Sequence, residues 1–138
     1  MTGTNGSRIK QPKYAKQLID FDGLQIEENI YPTDIDAIIE YHNGEYIIVE
    51  VKYKKTRMPF SQRVAIQRMV DDFTKLGKKA IAIIGEHHIT DSRKPIVAAD
   101  CNVREVYYGE EGIWRAPARK MVVGQAVEKF HKANIRGD

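Results

Sequence analysis

The 138 residues contain a single cysteine, Cys101, so no intrachain disulfide can form and a reducing, cytoplasmic compartment is expected. No apolar run approaches the roughly 20 residues a membrane-spanning helix needs, and no hydrophobic signal segment opens the chain. His87 and His88 invite a metal, but adjacent side chains point apart and no cysteine or histidine partner stands at zinc spacing. No helix-turn-helix, zinc-finger or aromatic-ladder pattern is recognisable that would show how a nucleic-acid target is chosen. The net charge of +3 permits a nucleic-acid partner without demanding one.

With 42% hydrophobic and 30% charged residues, the composition is that of one globular domain, and the length leaves no room for a second. Residues 1–13, MTGTNGSRIKQPK, are polar and aperiodic and are expected to form a flexible arm, with a single domain over residues 14–138.

The chain is organised around Tyr31–Lys55, YPTDIDAIIEYHNGEYIIVEVKYKK. Ile35–Tyr41 and Glu45–Val51 are rich in Ile, Val and Tyr and read as two strands joined by a tight turn. Asp34, Asp36, Glu50 and Lys52 gather at the far end of this hairpin, where charges are costly beside a core. A two-residue Asn43-Gly44 loop would set Asp36 opposite Val51 and turn Glu50 to the other face. A three-residue loop, His42-Asn43-Gly44, ending with Gly44 in the left-handed region, sets Asp36 opposite Glu50 and Ile38 opposite Ile48. The second register is expected. Opposed residues have Cβ atoms about 4.5–5.5 Å apart, and two carboxylates that close need a cation or a proton between them. Hard oxygen ligands at that spacing suit Mg²⁺ or Mn²⁺. Lys52 lies one pleat beyond Glu50, roughly 6.7 Å along the strand, within reach of a phosphate oxygen. Two acids, a metal and a lysine make a site for phosphodiester hydrolysis. An ordinary ion pair on a solvated strand end is the plainer alternative.

PTDID followed by VEVK across an apolar hairpin resembles the PD-(D/E)XK, or restriction-endonuclease-like, nuclease superfamily, and within it small single-domain nucleases of phages and mobile elements. The resemblance spans roughly residues 21–86. It implies that Asp36 and Glu50 hold Mg²⁺ or Mn²⁺ together with the backbone carbonyl of Val51, and that Lys52 is catalytic. Asp34 departs from the pattern as a second acid of the same strand parity. It either assists Asp36 or caps the Pro32-Thr33 turn. The implied fold is α/β (α+β, mixed): a restriction-endonuclease-like core with a central mixed sheet, a β-meander and helices on both sides. The implied activity is metal-dependent hydrolysis of DNA, with a catalytically silent nucleic-acid-binding module as the rival. A homodimer would allow one small site to cut two strands.

The flanking chain fits that plan. Tyr14–Asp20 offers two helical turns, and Leu24–Ile30 alternates as a first strand. Lys54, Lys55 and Arg57 follow Lys52 and are candidates for holding a nucleic-acid backbone; alternation places Lys54 on the catalytic face. Ser61 is the expected N-cap of an amphipathic helix from Gln62 to Leu76, closed by Gly77. Gln62 shares the inward stripe with Ile66, Met69 and Phe73. By the resemblance, a glutamine on this helix contacts the reacting water or phosphate; Gln62 and Gln67 are candidates, and the stripe favours Gln62. Ala80–Ile84 reads as a buried parallel strand, Val103–Tyr108 and Ile113–Arg115 as further strands, and a last helix is expected from Pro117 to about Ala133.

Overall fold

The two longest apolar runs become the centre of a sheet. A computed structural model of the protein describes residues 20–136, and the chain divides into two compact units, Met1–Pro32 and Thr33–Asp138. The second unit contains β1 (Ala37–Tyr41), β2 (Glu45–Tyr53), α1 (Phe60–Lys75), β3 (Lys79–His87), β4 (Asn102–Tyr108), β5 (Ile113–Arg115) and α2 (Val123–Arg136). The five strands lie in sequence order, with β2 and β3 parallel and every other neighbouring pair antiparallel. Among the described residues, the fold is therefore mixed α/β, a five-stranded mixed sheet with one helix on each face.

Side-chain alternation sorts the core into two layers. Ile48, Ala80, Ala82, Ile84 and Tyr107 face α1, where Ile66 and Val70 are fully buried. Ile47, Val49, Ile81, Ile83 and Val103 face α2 and meet Val123, Ala126 and Phe130. At the far end of β2, the buried Glu45 carboxylate reaches His131 of α2, with Oε1 2.9 Å from Nδ1.

The hairpin register is the one expected: Ile38 faces Ile48 and Tyr41 faces Glu45. The turn that sets it differs. His42 and Asn43, not Gly44, occupy the left-handed region, with φ of 49° and 57°, and the Gly44 N–H bonds the Tyr41 carbonyl at 2.9 Å. A type I′ reversal thus precedes the extra residue. β2 and β3 both run longer than expected because each supplies ladder partners to the other from Glu45↔Lys79 through Tyr53↔His87.

Three further expectations are corrected. Leu24–Ile30 is no strand. Glu27 and Glu28 take positive φ and reverse the chain, so that Ile26 and Ile30 form an isolated bridge with bonds of 2.8 and 2.9 Å. The described sheet accordingly begins with a two-stranded hairpin rather than a three-stranded meander. The arm over residues 1–13 and the helix over residues 14–19 lie outside the described residues. α1 begins at Phe60 behind Pro59, with no side-chain cap, so Ser61 is inside the helix. Its other end is as expected: Gly77 has φ 84°, and the Gly77 and Lys78 N–H groups bond the Thr74 and Phe73 carbonyls in a Schellman closure. α2 starts at Val123, not Pro117, because the preceding backbone is used elsewhere. The Val103 N–H bonds the Met121 carbonyl at 2.9 Å and the Val123 N–H bonds the Cys101 carbonyl at 2.8 Å.

That docking brings α2 close to β3 at Gly85, where the β3–β4 register also slips. A Cβ at Gly85 would lie 2.8 Å from the Val123 side chain and 3.4 Å from the Cys101 Cβ. Gly85→Ala is expected to cost on the order of 1–3 kcal/mol through overpacking, read as a lower denaturant midpoint. An unchanged midpoint would show that α2 does not sit this tightly on the sheet.

Candidate active site

Asp36 immediately precedes β1, and continuing the hairpin register sets it against Glu50 of β2. Each carboxylate is tied to the other strand's backbone. The Asp36 N–H donates to Glu50 Oε1 at 2.9 Å, and the Val51 N–H donates to Asp36 Oδ2 at 2.8 Å. Glu50 shares the α1 face with Ile48 and is only 2% exposed. Its second oxygen, Oε2, receives Gln62 Nε2 at 2.8 Å and lies 3.1 Å from Lys52 Nζ. Four of the residues expected to be catalytic or metal-binding, Asp36, Glu50, Lys52 and Gln62, thus form one connected cluster. The fifth, Val51, contributes its N–H to Asp36.

Gln62 comes from the first turn of α1 and is 7% exposed. Its Nε2 also donates to the Asp34 carbonyl at 2.6 Å, so both amide hydrogens go to acceptors and the amide orientation is fixed. Oε1 is left buried with no hydrogen-bond partner. An unpaired buried acceptor costs about 1–3 kcal/mol, so Gln62 is held in this position against a penalty in stability. Asp34 enters through this carbonyl, a backbone role that its side chain could not announce, and its exposed carboxylate acts only as a nearby charge.

Burial raises the Asp36 carboxyl above the usual aspartate range. The Val51 N–H pulls it back, the Glu50 and Asp34 charges push it up further, and Lys52 opposes them. A site that resists two negative charges is one that a divalent cation relieves. Two carboxylates of hard oxygen are donors of the type that suits Mg²⁺ or Mn²⁺, and here both Glu50 oxygens are engaged by the Asp36 N–H, Gln62 and Lys52. Among the described residues, no group of three or more His, Cys, Asp or Glu stands together for a metal.

The remaining candidates divide. Gln67 turns to the other flank of α1, where Oε1 accepts Trp114 Nε1 of β5 at 3.0 Å, so it has no part in the cluster. Lys54 is not on the Lys52 face by alternation, because β2 ends at Tyr53 and Lys54 is left-handed, with φ 44°. Its ammonium lies 5.2 Å from the Tyr53 ring centre instead. Lys55 and Arg57 are exposed in the turn that follows.

The sequence reading missed two ion pairs beside the cluster. Arg63, next to Gln62, holds Glu105 of β4 with Nη1 and Nη2 of its guanidinium and lies 4.4 Å from the Trp114 ring centre. Glu86 and Arg104 pair at 2.9 Å across β3 and β4. The alternation of β3 continued past Gly85 would have drawn attention to Glu86; nothing local marked Arg104. No family model, curated protein or solved structure matches this chain.

Asp36→Asn keeps an acceptor for the Val51 N–H while removing the resisted charge. In EDTA at pH 7 it is expected to melt above the wild type. A carboxyl raised in the folded state contributes stability below the usual value of 3.8 and loses it as pH climbs through the raised value, so the gap should close in acid. Saturating Mg²⁺ should raise the wild-type melting temperature and leave Asp36→Asn nearly unmoved. A wild type indifferent to both Mg²⁺ and Mn²⁺ would remove the metal assignment.

Proposed function

We propose that this chain is a divalent-metal-dependent nuclease that hydrolyses phosphodiester bonds of DNA, built on a restriction-endonuclease-like core and similar in its site to PD-(D/E)XK enzymes. The observation that carries this reading is the cross-strand pair of Asp36 and Glu50, latched by backbone N–H groups, with Lys52 and Gln62 both on Glu50.

Asp36 and Glu50 would hold Mg²⁺ or Mn²⁺, with the Val51 carbonyl as a further ligand. A cation bound there supplies Lewis acidity, making water a better nucleophile and drawing charge from the phosphate. Lys52 brings a mobile ammonium on a long stem. Shifted from Glu50 toward a bound phosphate, it would offset the negative charge that grows on the phosphoryl oxygens. Gln62 Nε2 keeps the Glu50 carboxylate from rotating, which holds that ligand in place. Lys54, Lys55 and Arg57 stand just past Lys52 and would attract the phosphate backbone in a salt-dependent way.

Cleavage of linear duplex, supercoiled plasmid, single-stranded DNA, a branched junction and RNA in Mg²⁺, Mn²⁺ or EDTA tests this. Metal-dependent cutting of DNA that falls at least about a hundredfold in both Asp36→Ala and Lys52→Ala is expected. Open circles from plasmid would mean one strand cut per encounter; direct linearisation would point to a homodimer. No cutting of any substrate, with wild type and Asp36→Ala binding DNA equally in metal, would replace the enzyme with a nucleic-acid-binding module.

A further inference from the structure

Resting on the nuclease reading, we propose that Arg104 is a positioning residue. By occupying Glu86 it keeps Lys52 on Glu50, and with the rest of its guanidinium it fixes the basic turn that follows β2.

The argument starts from the parallel pairing of β2 and β3, in which Lys52 and Glu86 are register partners. Neighbouring strands lie about 4.8 Å apart and partners share a face, so Glu86 stands beside Lys52 on the face that also carries Glu50. Lys52 nevertheless pairs with Glu50. Glu86 is already taken: Oε1 accepts Arg104 Nε at 2.9 Å, and Oε2 lies 3.2 Å from His88 Nε2. Of these two partners, only arginine carries a charge that never titrates, and the His88 side chain is 60% exposed. Without Arg104, Lys52 would stand between two carboxylates. One of them, Glu86, lies a strand further from Asp36.

The same guanidinium reaches back to the turn. Nη1 donates to the Thr56 carbonyl at 2.7 Å and Nη2 to the Lys54 carbonyl at 2.5 Å. The Lys54 N–H bonds the His87 carbonyl, and the Thr56 N–H bonds the Tyr53 carbonyl. A lysine held at φ 44° persists only when its surroundings over-determine it. Among the described residues, Arg104 is the side chain that bonds the Lys54 and Thr56 carbonyls, so the spacing of Lys54, Lys55 and Arg57 depends on it. One residue therefore sets both the ammonium next to the reacting phosphate and the cations along the flanking backbone. These two effects separate in kinetics.

The test is steady-state cleavage of linear duplex DNA in Mg²⁺ by wild type, Arg104→Ala, Arg104→Lys and the double variant Arg104→Ala/Glu86→Gln, each with a thermal melt. Arg104→Ala should lower kcat about tenfold and raise KM. Adding Glu86→Gln removes the competing charge, so kcat should return to within about threefold of wild type while KM stays high. Arg104→Lys keeps a cation on Glu86 but cannot fork to two carbonyls, so it should show near-normal kcat with raised KM. A double variant no faster than Arg104→Ala overturns the guarding of Lys52, and an unchanged KM in Arg104→Ala overturns the role in the turn. If wild type cuts nothing, the nuclease reading fails on its own. The crystal structure of Arg104→Ala then decides the clamp: Lys52 Nζ within about 4 Å of Glu86 supports it, and Lys52 still on Glu50 overturns it.

Discussion

Two backbone hydrogen bonds hold the site in place, the Asp36 N–H to Glu50 and the Val51 N–H to Asp36. They place two carboxylates side by side without any direct bond between them. Like charges at that distance would spread the strand ends apart, but each is stabilised by an amide of the opposite strand. The pleat then adds Lys52 to the same face, and the first turn of α1 lowers Gln62 onto Glu50. Shift the register by one residue and Asp36 would leave the face that Glu50, Lys52 and Gln62 share.

The faces of the sheet carry different work. Toward α2 the contacts are apolar apart from the Glu45–His131 pair, and the close approach of Val123 to Gly85 is a packing constraint. Toward α1 the layer begins as an ordinary core around Ile48, Ile66 and Ile84 and becomes polar at one end, where Glu50 and Gln62 are as buried as their apolar neighbours. A buried carboxylate beside a buried amide with an unpaired oxygen breaks the usual rules for a core. Local rules are broken in natural proteins mostly where function requires it.

The hairpin, the amphipathic α1 with its glycine stop, and the short β5 were legible because each rests on periodicity or on a residue with a narrow conformational meaning. The cluster of Asp36, Glu50, Lys52 and Gln62 was legible for the same reason: strand parity and helix stripe are arithmetic. What escaped was set by backbone conformation at single residues. Glu27, Glu28 and Lys54 are left-handed although their side chains give no sign of it, and each ends an alternation that the sequence seemed to continue. The late start of α2 escaped because its preceding backbone is claimed by β4, a tertiary bond invisible to local propensity. Arg104 escaped because its partners lie about fifty residues away in the chain, at Lys54 and Thr56.

The reversal at His42 and Asn43 lies at the opposite end of the hairpin from the Asp36–Glu50 pair. An odd number of residues between Tyr41 and Glu45 is what assigns Asp36 and Glu50 to one layer. Loss of a single residue there would still leave a plausible two-residue reversal between two β-rich segments. The ladder would re-form one step out of phase, and the acid before β1 would pass to the side occupied by Val123 and Phe130. A deletion of one codon in this turn would thus leave two intact strands while parting Asp36 from Glu50, although it lies far from both.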